Sequence, residues 1–109
     1  MSLAERAYHL TVGFPKDEVY GMTSQIRRAA VSIAANIAEG HGRESSGSFI
    51  QAMRVSQGSL KELETHLLLA VRVGLVSIEK VEPMLQQCDE LGKMLRSLIR
   101  SIQRRQSND

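Results

Sequence analysis

Apolar residues recur at steps of three and four along most of the chain, which is the spacing of one face of an α-helix. Between Lys16 and Ala38 these positions form one stripe: Val19, Met22, Ile26, Ala29, Ala30, Ile33 and Ile37. Gly40 and Gly42 follow the stripe, and we expect them to stop the helix by adopting positive φ. The pattern predicts a long helix that ends in the Glu-Gly-His-Gly-Arg segment, 39–43.

Two further stripes predict two more long helices. The first runs from about Gly47 to Val73 and aligns Phe49, Met53, Ser56, Leu60, Leu63, Leu67 and Ala70 or Val71. The second follows Ser77 and aligns Val81, Leu85, Cys88, Leu91, Leu95, Leu98 and Ile102. Ser45 or Ser46 is the expected N-cap of the first, and Gly74 is expected to close it.

A shorter apolar segment, about Ala4 to Val12, precedes Gly13-Phe14-Pro15, where proline disfavours helix in the preceding residue. Short connections join all four segments, so consecutive helices should lie antiparallel. The chain is therefore predicted to be all-α, an antiparallel up-and-down four-helix bundle that forms one domain over residues 1–109.

Four short motifs carry a resemblance to a known family. They are Phe14-Pro15, "SQIRRAAVSI" from Ser24, "NIAEG" from Asn36 and "GSLKELE" from Gly58. Together they resemble the 23S rRNA intervening-sequence proteins, and the resemblance extends from about Phe14 through the fourth helix. It implies a four-helix bundle whose subunits assemble into a ring, typically a pentamer, with no established catalytic residue.

The same resemblance suggests a role in binding but does not specify the partner. Some members of the family are encoded within insertions in ribosomal RNA genes, and a relative in diversity-generating retroelements binds nucleic acid and a reverse transcriptase. Members usually have a first helix that starts further upstream than Ala4, in a segment containing aromatic residues. How well the core is covered at that edge is therefore left open by the sequence.

Basic residues form two outward lines, although the net charge is only +2 and the pI is 9.0. The fourth helix carries Lys93, Arg96, Arg100 and Arg104 at helical spacing, and the third carries Arg54, Lys61 and Arg72. Repeated around a ring, such lines could attract the phosphates of RNA or DNA without reading sequence. The alternatives are a solvated face and a docking surface for an acidic protein.

Self-assembly is predicted from the second helix, which is apolar or small on nearly all sides. Val31, Ala34, Ala35 and Ala38 project away from its core stripe. Small residues let a neighbouring helix approach closely, so this face is the expected homo-oligomer interface. The alternative is that these alanines are only good helix formers on a wet surface.

The segment after the second helix is the one place where catalysis could be considered, because Glu39, His41 and Glu44 cluster there. No second histidine, aspartate pair or cysteine lies nearby, and no metal or phosphate motif is present. We therefore predict no enzyme activity, no catalytic residue, no metal and no cofactor. The role of His41 stays open.

Glu39 and Asn36 are instead assigned structural roles near the turn. A carboxylate at a helix C-terminus faces the negative end of the helix dipole, so we expect Glu39 to bridge to Arg43 or to the start of the next helix, unless it is simply solvated. Asn36 flanks the core stripe, and Glu64 flanks that of the third helix. Either the two pair and fix the helix register, or both face water.

Location follows from what the sequence lacks. The single cysteine, Cys88, can form no internal disulfide and lies on an apolar stripe, so packing is its expected role. No secretory leader opens the sequence, and the longest uncharged apolar run, 29–38, is about half the length a membrane span needs. A cytoplasmic protein without a membrane partner is expected.

Overall fold

The computed structural model describes residues 1–108 and consists of four helices: α1 (Leu3–Val12), α2 (Ser24–His41), α3 (Ser46–Arg72) and α4 (Ile78–Asn108). Among these residues every regular element is helical. The body measures 53 × 22 × 21 Å, so the helices lie side by side along one long axis. The predicted all-α four-helix bundle is confirmed.

The core is formed by one stripe from each helix, close to the positions that the periodicity predicts. On α3 the predicted residues from Met53 to Ala70 are buried, and on α4 Val81, Cys88 and Leu95 are buried. Two of the predicted core residues are exposed: Val19 at 47% and Leu98 at 37%. Val19 belongs to the distorted entry of α2, and Leu98 faces a gap that α1 does not fill.

The entry to α2 differs from the continuous helix predicted from Lys16. A single 3₁₀ turn, Lys16–Glu18, leads into a π-helical turn, Val19–Thr23, before regular α-helix starts at Ser24. Gly21 breaks the turn with φ −104° and ψ −112°. Hydrophobic periodicity does not predict this distorted entry, since one widened turn changes the register of the apolar stripe of α2 only slightly.

The end of α2 also differs from the prediction. Gly40 lies inside the helix and Gly42 caps it at φ −89°, so neither glycine adopts positive φ. Gly40 is instead buried, and a Cβ placed there would lie 2.5 Å from Met53 Cε and 3.3 Å from Ala52 Cβ. A side chain here would require the flexible end of Met53 to move and Ala52 to shift slightly, so glycine suits the close contact between α2 and α3. Positive φ occurs at Gly74 (83°), which follows α3.

Hydroxyl groups join α2 to α3 along the same contact. The Ser56 hydroxyl donates to the backbone oxygen of Ile33 at 3.0 Å, fully inside the protein. The hydroxyls of Ser32 and Ser59 lie 2.7 Å apart. These bonds pair positions that advance along α2 and recede along α3, so they fix the antiparallel register of the two helices.

Arg27 of α2 makes polar contacts with the short helix α1, whose Leu3 and Ala7 are buried in the core. Arg27 Nε donates to Thr11 Oγ1 at 2.8 Å, and its guanidinium lies 4.4 Å from the centre of the Tyr8 ring. Ser2 caps the start of α1, accepting from the backbone of Glu5 while the Glu5 carboxylate accepts from the backbone of Ser2. Because α1 begins at Leu3, it lies against only part of the length of α2 and α4.

A matched pair of glycine substitutions tests the close contact. Gly40→Ala should stabilise the protein less than an alanine at an open helix position, since moving Met53 Cε and Ala52 Cβ offsets the gain in helix propensity of about 1 kcal/mol. Gly58→Ala, inside α3 with nothing within 4 Å, should raise the melting temperature by about 2–6 °C. Differential scanning calorimetry measures both. Equal stabilisation by the two substitutions would contradict the account of Gly40.

Candidate nucleic-acid and partner interfaces

The basic residues predicted on α4 all lie on its outer surface. Lys93, Arg96, Arg100 and Arg104 are exposed, while Leu95 and Ile99, which alternate with them, are buried. Helical spacing keeps the four cations on one face because they follow each other at three or four residues. All four side chains are therefore exposed to solvent.

Charge divides α4 into two halves. Residues 78–90 contain four carboxylates and one lysine, whereas residues 91–108 contain five basic residues, Lys93, Arg96, Arg100, Arg104 and Arg105, and no carboxylate. This order suits the helix dipole, which favours anions near the N-terminus and cations near the C-terminus. The charged side chains of residues 91–108 are thus all cationic.

The basic residues of α3 contribute less. Arg54, Lys61 and Arg72 are exposed and share one face. Lys61 lies across a surface groove from Arg96, but Glu64 and Asp89 line the same groove. Lys61 Nζ lies 3.8 Å from Glu64 and Lys93 Nζ lies 3.2 Å from Asp89, so two of the seven predicted cations already face a carboxylate.

The predicted oligomer interface is an open surface of α2. Val31, Ala34, Ala35 and Ala38 are exposed, with Val31 45% exposed. Val31, Ala35 and Ala38 lie on the side away from α3, and Ala34 turns toward α4, where it lines a cavity with Leu91 and Met94. The four residues therefore span the outer face and one edge of α2.

The turn residues have local partners. The Arg43 guanidinium donates to the Glu39 carboxylate four residues earlier, so of the two partners predicted for Glu39 the structure shows Arg43. The N-terminus of α3 is capped separately, by the Ser45 hydroxyl accepting from the backbone of Ser48 at 3.1 Å. Both side chains are exposed, so this ion pair lies on the protein surface at the turn.

Asn36 does not pair with Glu64, so the first of the two alternatives for these residues is not observed. Its amide donates to the backbone oxygen of Ser32 at 2.9 Å and to the Ser32 hydroxyl at 3.2 Å. Glu64 lies on the α4 side of α3, beside Lys61. Asn36 therefore supports the bonded pair Ser32 and Ser59 from one side, and register is fixed by serines that the apolar pattern does not reveal.

His41 is exposed at the end of α2 and packs edge-on against Phe49, with 5.9 Å between ring centres. Within residues 1–108, no three His, Cys, Asp or Glu side chains are grouped to hold a metal ion. Over the same residues no helix is both long and apolar enough to cross a membrane.

The structure contains a groove between α2 and α4 that the hydrophobic periodicity of the sequence does not predict. It has a volume of about 700 Å³ and lies beyond the start of α1, where Ser2 and Leu3 line the adjoining cavity. We call it the α2–α4 groove; its main lining residues are Ile37, His41, Leu91, Met94, Leu98 and Ser101. Met94 is 66% exposed, although its neighbour Leu95 is buried.

Comparison with known proteins agrees with the fold and its motifs. The model of the 23S rRNA-intervening sequence protein family matches residues 1–97. The chain belongs to the family of 23S rRNA-intervening sequence proteins. The match takes in α1, α2, α3 and about two thirds of α4.

A solved structure provides a second comparison. The chain is similar to a protein of unknown function from the S23 ribosomal protein family of Bacteroides thetaiotaomicron, with 29% identity and a TM-score of 0.79. The similarity covers 89% of this chain and 91% of that one. No curated protein matches the chain. Family membership and fold are thus established together.

Cys88 is fully buried, and burial raises the pKa of its thiol from 9.0 to about 12, with a smaller contribution from Glu64. Three pKa units mean about a thousandfold less thiolate at pH 8 than in the unfolded chain. Because the thiolate is the reactive form, iodoacetamide at pH 8 should alkylate the native protein at least a hundredfold more slowly than the protein in guanidinium. Mass spectrometry over time measures both rates, and comparable rates would contradict a packing role.

Proposed function

We propose that this family member is a non-enzymatic, self-assembling bundle that binds RNA or DNA through the basic face of α4, without reading sequence. One observation carries the proposal. Residues 91–108 contain five cations and no carboxylate, and Lys93, Arg96, Arg100 and Arg104 are exposed on one face. Phosphate contacts of this kind supply most of the affinity in non-specific binding.

The geometry favours a polyanion over a small anion. From Lys93 to Arg104 the face extends over about 16 Å, at 1.5 Å per residue. Cations spread along a line suit a ligand whose charges are also spread along a line. With 4% aromatic residues in the chain, stacking platforms for single-stranded bases are sparse, so backbone phosphates are the expected contact.

Arg100 and Arg104 should contribute most. Lys93 faces Asp89 at 3.2 Å, and Arg96 lies in the groove that Glu64 and Asp89 also line. Arg100 and Arg104 lie two and more turns beyond these carboxylates. Their charges are therefore less compensated, and a phosphate approaching them meets no nearby anion of α4.

Self-assembly would multiply the effect of one weak face. The small residues Val31, Ala35 and Ala38 leave the outer side of α2 open to close approach by a second copy. Several copies of the basic face in one ring, five in the arrangement typical of the family, would bind one strand with much higher avidity than a single copy. An acidic protein partner for the same face is the second candidate, and it predicts a weaker dependence on salt.

The test is the salt dependence of binding to a double-stranded DNA and an RNA of unrelated sequence, measured by fluorescence anisotropy. The variant Arg100→Glu/Arg104→Glu is compared with Lys16→Glu/Lys80→Glu, which changes the charge equally at exposed positions outside the face. Each lost phosphate contact should reduce the slope of log K against log salt by about 0.9 on DNA. We expect a loss of about two slope units for the first variant and little change for the second.

Two results would overturn the proposal. One is wild-type binding that does not respond to salt between about 50 and 200 mM, a range over which phosphate contacts lose several orders of magnitude in affinity. The other is an equal loss in both charge variants, which would show that net charge matters and the face on α4 does not.

A further inference from the structure

We propose that nucleic acid binds a surface shared by α3 and α4, in which Arg54 contacts the same phosphate backbone as Arg100 and Arg104. The carboxylates of Glu64 and Asp89 limit this surface, because they compete with phosphates for neighbouring lysines. The shared surface rests on the proposed nucleic-acid binding and specifies which end of the two helices takes part. Between them lies the α3–α4 groove, whose lining includes Leu60, Lys61, Glu64, Asp89, Gly92 and Arg96.

Packing across the α3–α4 groove places Arg54 level with the basic half of α4. A Cβ placed at Gly92 would lie 3.4 Å from Leu60 Cδ2, so these two residues occupy the same level of the bundle. Because α3 and α4 are consecutive antiparallel helices, residues before Leu60 lie beside residues after Gly92. At 1.5 Å per residue, Arg54 lies about 9 Å from that level along the bundle, and Arg96 and Arg100 lie about 6 and 12 Å from it on the same side.

Arg54 also lies on the side of α3 that borders α4. It precedes Lys61 by seven residues, or two helical turns, so the two side chains project in nearly the same direction. Lys61 and Arg96 line the α3–α4 groove from opposite helices, and Arg100 follows Arg96 by one turn. The axes of packed helices are about 8–10 Å apart. Cations of α3 and α4 are therefore close enough to contact successive phosphates of one backbone.

This end of the two helices has cations that no neighbouring carboxylate compensates. Residues 46–61 of α3 contain no aspartate or glutamate, and neither do residues 91–108 of α4. Arg54, Arg100 and Arg104 are all exposed. A phosphate that approaches these arginines meets no carboxylate of the two segments, so their positive potential attracts it at full strength.

The other two predicted cations of α3 lie near carboxylates. Lys61 Nζ is 3.8 Å from the carboxylate of Glu64. Arg72 is the last residue of α3, about 18 Å from the level of Leu60 in the direction opposite to Arg54. It lies near the start of α4, where residues 78–90 carry four carboxylates and one lysine. Arg54 is therefore the best placed of these three cations to bind phosphate.

Glu64 and Asp89 form the boundary between the two ends. Both line the α3–α4 groove, and each lies beside a lysine, since Asp89 Oδ2 is 3.2 Å from Lys93 Nζ. A phosphate has to displace these carboxylates before it can bind Lys61 or Lys93. Both lysines are largely exposed, so each ion pair weakens phosphate binding only modestly.

A matched pair of arginine variants tests the shared surface by anisotropy titration on double-stranded DNA. Arg54→Gln should weaken binding about fivefold to tenfold in about 0.1 M salt and reduce the slope of log K against log salt by about 0.9, the effect of one lost phosphate contact. Arg72→Gln removes the same charge from the same exposed face of α3 and should leave affinity and slope nearly unchanged. Equal losses in the two variants would overturn the shared surface.

Removal of the two boundary carboxylates should have the opposite effect. Glu64→Gln/Asp89→Asn should tighten binding about threefold to tenfold and increase the slope, because the two neighbouring lysines become free to bind phosphate. Glu79→Gln/Glu82→Gln makes the same charge change at exposed positions near the start of α4 and should change affinity less than about twofold. Equal changes in the two double variants would show that net charge sets the affinity, and would overturn the boundary role of Glu64 and Asp89.

A single substitution keeps this second test decisive if the double variant is destabilised. Asp89 is exposed, so Asp89→Asn should leave the circular dichroism spectrum of the protein unchanged. It should give about half of the increase in slope, since one lysine rather than two is released. No increase in slope would count against the boundary.

Failure of the proposed function and failure of the shared surface are distinguishable. If wild-type binding does not respond to salt, or if Arg100→Glu/Arg104→Glu binds as well as its control, both are wrong. If wild-type binding falls with salt and that variant is impaired, but Arg54→Gln behaves like Arg72→Gln, nucleic acid binds α4 alone and only the shared surface is wrong.

Discussion

The contact between α2 and α3 determines how every other surface of the protein is placed. Gly40 lets α2 approach Ala52 and Met53, and the Ser56 hydroxyl bonds to the backbone of Ile33 at the centre of the contact. Because α2 packs on α3 through small and hydroxyl-bearing residues, their register is fixed by contacts that tolerate little displacement. The opposite side of α2, with Val31, Ala35 and Ala38, is then left facing outward.

Helix α4 provides the charged surface of the bundle. Its buried residues, from Val81 to Ile99, hold one side against the core, so the cations of its second half cannot fold inward. The acidic first half lies toward the helix N-terminus and the basic second half toward the C-terminus, which the helix dipole stabilises. A protein with a net charge of only +2 thus has a strongly positive end, and total charge is a poor guide to its partners.

The sequence predicts the four helices, most of the core and the exposure of all seven basic residues, because these follow from a period of 3.6. The sequence pattern does not predict features that arise from contacts between two helices. Gly40 has the sequence signature of a helix stop, yet its role depends on Met53 and Ala52 across the contact. Likewise, Leu98 fits the apolar stripe, yet it is 37% exposed because it lines the α2–α4 groove. The π-helical entry at Gly21 is a local distortion without a periodic signal.

We propose that the small-residue face of α2 brings several basic faces into one assembly. The mass in solution, measured by multi-angle light scattering across the micromolar range, tests it most directly. Assembly through this face predicts a mass several times that of the 12.1 kDa chain, or about 60 kDa for the pentamer that the family resemblance implies. A mass of 12.1 kDa at every concentration would contradict it.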